Sequence, residues 1–279
     1  MLKRRGAPAI MLNDPEKNQE AESIEVRCYF VRERNALAVR GEFTPLYTDY
    51  YLHLMQHQIR PSPEFDQALK TGLAAVTLHL ASRPRNEAVA WTLNWQDPLH
   101  NLFVTGSNRL GNVTGRVFEE DIRPAETNLF FSQTTAGGQG DRQSTIEAPD
   151  RDMFQVAEAY YRQSEQRLAR FFRHGEEDFV LVTAQPDCDL PWLESLDDDA
   201  IRSIDAEETL SLLEKRFYRF DCGCTLEKIF AIVSRMTGST IDEVFGNEEV
   251  TVASCPRCGA RYALTREALE AYQANPPQE

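Results

Sequence analysis

The chain has 279 residues, enough for one large domain or two modest ones, and 42% hydrophobic residues, enough to bury a core. Its 30 Lys and Arg against 44 Asp and Glu leave a net charge of −14, which repels phosphate backbones and anionic lipid surfaces, so neither nucleic acid nor a membrane is expected as a partner. No run approaches the ~20 apolar residues of a membrane-spanning helix, and residues 1–12 hold too short an apolar run, with no small-residue cleavage site after it, for a signal peptide. These features predict a cytoplasmic protein, a compartment in which clustered cysteines serve metal or redox chemistry.

Residues 1–24 turn from basic to acidic and contain no aromatic residue, a composition that cannot offset ordering entropy and predicts a disordered tail. Val26–Val31 and Ala36–Phe43, rich in β-branched and aromatic residues, predict two short strands about a turn at Glu33-Arg34-Asn35. Helices are predicted from Pro45, with Thr44 as cap, and from Ser62-Pro63-Glu64, where Leu69, Leu73, Val76 and Leu80 recur at helical spacing. Ala88–Trp95, Asn101–Thr105 and Gly111–Phe118 read as strands, and shorter strands near 127–132 and 144–147 flank a loop over Thr134–Asp141. Residues 152–173 predict one long helix with Met153, Ala157, Tyr160, Tyr161, Leu168 and Phe171 on one face, and Phe179–Val182 a buried strand. Helices grouped around antiparallel strands make an α+β domain.

Between Glu176 and Leu210 there are twelve acidic residues and one basic, Arg202, with Trp192, Leu193, Leu196, Ile201 and Ile204 as apolar anchors. This predicts marginal helices docked on something larger, followed by a helix over Glu207–Lys215.

The closing residues carry the chemistry. Cys222 and Cys224 form a Cys-x-Cys pair, Cys255 and Cys258 a Cys-x-x-Cys pair, and 30 residues separate the two. Two short bites of this kind present four thiolates to one tetrahedral ion, and zinc suits them better than an iron–sulfur cluster, whose cysteines run at other spacings. Around them Thr225–Met236 reads as a helix, Thr240–Glu243 as a capping box, Val250–Val252 and Arg261–Leu264 as a small hairpin, and Thr265 as the cap of a last helix. A module this small depends on its metal for folding. From spacing alone the site is either a passive staple or a redox switch, since zinc keeps thiolates ionised and open to oxidants and a resolving thiol stands two or three positions away.

In Phe220-Asp221-Cys222-Gly223-Cys224 and Cys255-Pro256-Arg257-Cys258-Gly259-Ala260-Arg261-Tyr262 the chain resembles the 33 kDa chaperonin family, the redox-regulated heat-shock holdases. Ala38-Val39-Arg40-Gly41-Glu42 and Tyr160-Tyr161-Arg162-Gln163-Ser164-Glu165-Gln166 are similar to an early segment and to the central helix of that family, in the same order. The chain departs from it in a shorter stretch before Cys222, in Glu176-Glu177-Asp178-Phe179 in place of a glycine-rich strand entry, and in Thr225 in place of serine. The resemblance implies an α+β architecture: a disordered tail (1–24), an N-terminal chaperone core of antiparallel sheets with helices (25–185), an acidic helical linker (186–219) and a small C-terminal zinc-binding redox domain (220–274). It implies a chaperone, not an enzyme. In the reduced form Cys222, Cys224, Cys255 and Cys258 would hold one Zn2+. Oxidation with heat would form Cys222–Cys224 and Cys255–Cys258 disulfides, release the zinc and unfold the linker. The surface so uncovered would hold unfolded or partly unfolded client proteins without ATP, often in a homodimer. The sequence has no Gly-x-x-x-x-Gly-Lys-Ser/Thr loop; Gly137-Gly138-Gln139-Gly140 lacks the lysine. The alternatives are a constitutive binding or adaptor protein with a purely structural zinc module, and a thiol oxidoreductase using Cys255 and Cys258, which lacks the βαβ context.

Other candidates read as structural. His53 and His57 stand at metal-ligand spacing, but His-Leu-Met-Gln-His lacks the glutamate of a zinc protease, so they read as surface or boundary histidines. His79, His100 and His174 have no evident partners. Cys28 reads as core, and the acidic neighbours of Cys188 disfavour a thiolate. Tyr160, Tyr161, Phe171 and Phe172 read as core before client patch.

Overall fold

Alternation of apolar residues builds the first hairpin, β1 (Ile24–Val31) and β2 (Ala36–Glu42), and Asn35 closes its turn in the left-handed region at φ 48°. The computed structural model describes residues 23–137, 139–236 and 241–274, so the expected tail lies outside the described residues apart from Ser23 and Ile24, and Ile24 already belongs to β1. Two helices follow. In α1 (Thr44–Gln56) Pro45 sits in the first turn, and α2 (Pro63–Ala81) is capped by Ser62, whose Oγ accepts from the Phe65 N–H at 3.3 Å. Every residue of α2 from Thr71 to Ala81 is buried, which makes it the central helix.

The chain then lays down β3 (Glu87–Gln96), β4 (Leu99–Ser107), β5 (Asn112–Phe118), β6 (Leu129–Ala136) and β7 (Gln139–Glu147) as antiparallel neighbours. The loop expected over Thr134–Asp141 is instead mostly strand, with β6 running to Ala136 and β7 starting at Gln139; Gly138 lies outside the described residues. The long helix expected over 152–173 is likewise two elements. Helix α3 (Met153–Gln163), capped by Asp152, stops where Gln166 turns the chain at φ 53°, and β8 (Ala169–Arg173) follows. Ala169-Arg170-Phe171-Phe172-Arg173 can join a sheet because Phe171 and Phe172, on opposite sides of the strand, each have a core to enter.

Strand β9 (Asp178–Ala184) pairs with β8 and β2. Three short helices come next, α4 (Leu190–Ser195), α5 (Asp198–Arg202) and α6 (Ile204–Glu207), as expected of marginal helices, with Asp189 and Asp197 capping the first two. The helix expected over Glu207–Lys215 is a correction: Leu210–Phe220 is an eleven-residue strand, β10. It pairs antiparallel with β1 and, through Arg219 and Phe220, parallel with β5. Leu210, Leu213 and Phe217 imitate helical spacing because the register with β1 slips at Leu213, between the Cys28–Glu214 and Tyr29–Leu212 pairs, and breaks the alternation. One ten-stranded sheet results, ordered β7-β6-β3-β4-β5-β10-β1-β2-β9-β8, with β10 joining its halves.

Period-two alternation divides the side chains between two cores. Val39, Leu181 and Phe171 join α1–α3 on one face; Ala38, Val180, Val182 and Phe172 meet Leu193, Leu196, Ile201 and Ile204 of the acidic segment on the other. That segment starts and ends at the β1–β2 turn: Gln185 N–H donates to Asn35 O (3.1 Å), and Arg32 N–H donates to Thr209 O (3.1 Å). Arg34 holds both ends, donating to Asp189 at 2.8 Å and Glu208 at 3.0 Å.

The C-terminal elements are α7 (Leu226–Met236), α8 (Ile241–Phe245), the hairpin β11 (Val250–Ser254) and β12 (Arg261–Thr265), and α9 (Arg266–Ala274). They agree with the expected order, and Thr265 caps α9 by accepting from the Ala268 N–H (3.2 Å); Thr240 of the expected capping box lies outside the described residues. Among the described residues no helix is long and apolar enough to cross a membrane.

Candidate metal centre

Strand β10 ends at Phe220, and a single residue, Asp221, separates it from Cys222. Asp221 Oδ1 accepts from the Gly223 N–H at 2.8 Å, and Gly223 turns at φ 62°, a left-handed conformation that a side chain resists. This turn carries Cys222 and Cys224 round to one side. The second pair sits on the β11–β12 turn. There Gly259 N–H donates to Cys255 O (2.9 Å), Cys255 N–H donates to Ala260 O (2.8 Å), and Gly259, at φ 75°, makes the bend. Ile229, Phe230, Phe245, Ala260, Leu264 and Leu269 form a small core beneath the cysteines.

The four Sγ atoms lie within 4.8 Å of one another, Cys222 to Cys255 at 3.7 Å and Cys224 to Cys258 at 3.5 Å. A tetrahedral site with metal–sulfur bonds of ~2.3 Å has sulfur–sulfur edges of about 3.8 Å, so the four cysteines are positioned to bind a metal ion. Charge agrees with geometry. Hydrogen bonding to Cys255 pushes the Cys222 thiol up to about 12, and hydrogen bonds from Cys222 and Cys258 push Cys255 down. The same crowding raises Cys258, through its hydrogen bonds to Cys222 and Cys255 and its burial. Of these three only Cys255 is favoured as a thiolate, and four sulfurs at this spacing suit a divalent cation. The Tyr262 hydroxyl lies 3.1 Å from Cys224 Sγ and 3.0 Å from Cys224 O, which fixes this ligand against β12.

The sequence reading identified all four thiols but not what seats the module on the sheet. His53 Nε2–H donates to Cys258 O (3.0 Å), its ring lies 5.2 Å from Phe220, and burial holds it below the usual histidine value. His57 Nδ1 accepts from the Arg261 N–H (3.2 Å), and Arg116 donates to Cys255 O (3.0 Å) from β5 while its guanidinium covers Phe118 at 4.2 Å. A cleft of about 200 Å3 between Ile59, Arg116, Cys258 and Gly259 marks the boundary. The spacing of His53 and His57 was the available signal: it marks the helix face that meets the module.

The remaining candidates are structural. Cys28 is buried and its thiol is pushed up to about 11 by burial; Cys188 is raised too, by burial before the nearby Asp189 charge. His79 is buried with Nδ1 2.8 Å from the Tyr161 hydroxyl, and Tyr160, Tyr161, Phe171 and Phe172 are all buried.

Comparison with known proteins agrees with the geometry. A family model described as Hsp33 protein matches residues 180–265. A 33 kDa chaperonin of Aliivibrio salmonicida is 24% identical over 258 residues, covering 81% of this chain and 88% of its own. One of Caldanaerobacter subterraneus subsp. tengcongensis is 30% identical over 73 residues, 26% of this chain and 25% of its own. The crystal structure of the 33 kDa chaperonin of Thermotoga maritima shares the fold, with a TM-score of 0.68 at 13% identity over 89% of this chain and 97% of that one. By cysteine pattern, fold and sequence, the chain is a relative of the 33 kDa chaperonin family.

Proposed function

We propose that the protein is a redox-regulated, ATP-independent holdase of the cytoplasm, a chaperone rather than an enzyme. Its reduced form holds one Zn2+ on Cys222, Cys224, Cys255 and Cys258. Bound zinc keeps the thiolates ionised and supplies much of the folding free energy of residues 220–274. Peroxide converts Cys222 with Cys224, and Cys255 with Cys258, to disulfides; each takes two thiols and one peroxide and releases two waters. All four sulfurs lie within 4.8 Å of one another, and a disulfide draws two of them to about 2.05 Å, so forming both bonds takes every ligand from the metal. The module then loses the bonds to His53, His57 and Arg116.

The observation that carries the proposal is the second core. An acidic segment hides an apolar sheet face, Val31, Ala38, Phe172, Val180 and Val182, under three helices of four to six residues. Such short helices have little stability apart from their packing. Released, the segment uncovers a face that holds unfolded or partly unfolded clients, in a homodimer of oxidised chains. The core is residues 25–185. The expected linker, 186–219, contracts to 186–209, because Leu210–Tyr218 lies along β1 and Arg219 and Phe220 pair with β5.

That pairing favours a second reading, a constitutive binding or adaptor protein whose zinc is purely structural, since an anchored β10 gives metal loss no obvious route to the segment. One experiment separates them: zinc content, free thiols and suppression of client aggregation, measured before and after peroxide with mild heat. Loss of about one zinc and four thiols with a gain in holding supports the switch; activity that oxidation leaves unchanged refutes it.

A further inference from the structure

The acidic segment meets the sheet through charge as well as apolar packing, and the charges are sorted between the two sides. Residues 185–209 hold nine acidic residues against one basic, Arg202, so this stretch carries eight of the chain's fourteen net negative charges. The donors that receive it are fixed on the sheet side. Arg34, in the β1–β2 turn, donates to Asp189 Oδ2 at 2.8 Å and to Glu208 Oε1 at 3.0 Å, and its guanidinium stands 5.5 Å from the centre of the Trp192 ring. Arg173 N–H, on the outer edge of β8, donates to Asp198 Oδ1 at 2.9 Å. Arg170 lies over Phe172 at 5.0 Å and donates to the carbonyls of Glu194 and Leu196, each at 2.8 Å. Arg162, exposed and in no ion pair among the described residues, adds a further cation in a groove of about 750 Å3 beside α4.

Every partner of the Arg34 side chain among the described residues belongs to the segment. Undocking therefore leaves an apolar face rimmed by donors whose acceptors have gone, while Asp178, the carboxylate of β9 on this side, stays paired with Arg40 at 2.7 Å. Asp189 shows what the rim reads. One of its oxygens caps α4, accepting from the Trp192 N–H at 3.1 Å, and the other takes Arg34. The cap sets an acid and an aromatic ring about one helical turn apart, and a single guanidinium grips both.

We propose that the face beneath the acidic segment selects acidic clients: it takes stretches of unfolded protein in which an aspartate or glutamate stands about one helical turn before an aromatic residue, and Arg34 sets the preference. The inference rests on the chaperone reading for the source of such stretches; the contacts themselves are those the chain makes with its own segment. A basic stretch of equal hydrophobicity meets like charge at Arg34, Arg170 and Arg162.

The test measures binding by fluorescence anisotropy to the full chain in two opened forms, the zinc-bound Ile201→Ala variant and the wild type after peroxide with mild heat. The probes are labelled peptides with the sequence of residues 186–209, their acidic residues kept, changed to Asn and Gln, or changed to Lys. Two or three exposed charge contacts, each worth about two- to fivefold, give the acidic peptide an expected advantage of about tenfold over the neutral one, with the Lys peptide weakest. The advantage should shrink in about 0.5 M salt. Arg34→Ala loosens the segment, yet it should bring the acidic-to-neutral ratio below about threefold; a residue that served only as a latch would raise both affinities and keep the ratio. If Ile201→Ala does not fold, the oxidised wild type decides. The inference is overturned if the neutral or Lys peptide binds as tightly as the acidic one, if Arg34→Ala keeps the ratio, or if neither opened form binds a peptide, whether its face stays empty or takes a second copy. Suppression of client aggregation, measured alongside, separates the two readings. Holding that ignores client charge overturns this inference and leaves the chaperone standing, whereas an acidic preference in Ile201→Ala with no gain in holding on oxidation supports it and overturns the switch.

Discussion

Ile201→Ala tests whether the acidic segment is a separable cover. Ile201 is fully buried in α5, in the cluster that contains Phe172, Val180 and Val182. Truncating a buried isoleucine to alanine costs about 2–5 kcal/mol, through lost transfer energy and the cavity left behind. Four buried apolar side chains, Leu193, Leu196, Ile201 and Ile204, hold the segment from Gln185 to Thr209, so losing one removes a large part of its packing. A value near 3 kcal/mol shifts the local opening equilibrium about 150-fold. Native-state hydrogen exchange read by mass spectrometry, with zinc bound, should show peptides from 186–209 exchanging on the order of 100-fold faster while β9 and β10 keep their protection. The same variant should suppress client aggregation without oxidant. Equal acceleration in β9 and β10 would show that the segment opens only with the whole sheet, and no acceleration would show that Ile201 does not hold it; either refutes a separable cover.

Three further outcomes follow from the metal centre and the core. Cys258→Ser should lower zinc from about one per chain to near zero in the presence of a competing chelator, with loss of exchange protection after Asp221, because the site supplies on the order of 10 kcal/mol of folding free energy; full retention of zinc would contradict a four-thiolate site. Arg116→Ala removes the donor to Cys255 O and should loosen docking by about 1–3 kcal/mol while zinc stays bound, seen as faster proteolysis near residues 221–225 at unchanged metal content. His79 is held neutral by burial, well below its usual 6.5, so below that pH the unfolded chain takes up a proton that the folded chain refuses. Stability should therefore fall as pH drops below about 6.5, by at most ~1.4 kcal/mol per unit, and His79→Gln should flatten that part of a urea-midpoint profile.

The metal site was legible because each pair of ligands is adjacent in sequence and only one spacer had to be judged. Its seating was not: Arg116 reaches Cys255 across 139 residues and His53 reaches Cys258 across 205, distances over which no local pattern speaks. Most of the fold was legible where one period persists, as in α2 and the β1–β2 hairpin. It failed where two periods overlap. The bulge at Leu213 gave β10 a helical spacing, and the apolar pair Phe171-Phe172 seemed to continue α3 when it feeds two cores. The acidic run is the set of marginal helices expected, docked over the outer face, and only the chain that follows it, expected as a helix, is the strand that joins the sheet.

That strand limits how far the cover can travel. Ala184 pairs with Ala36 and Leu210 with Val31, so the 25 residues between them leave and rejoin the sheet on either side of one hairpin turn. Once undocked they form a closed loop, not a free arm, and its tip stays within about 40 Å of its anchors. A tether of this length keeps the cover at an effective concentration on the order of millimolar over the face it left. Any protein that occupies that face is therefore in standing competition with a covalently attached rival, and its release needs no separate displacing factor: restoring the helices is enough to turn the equilibrium against it.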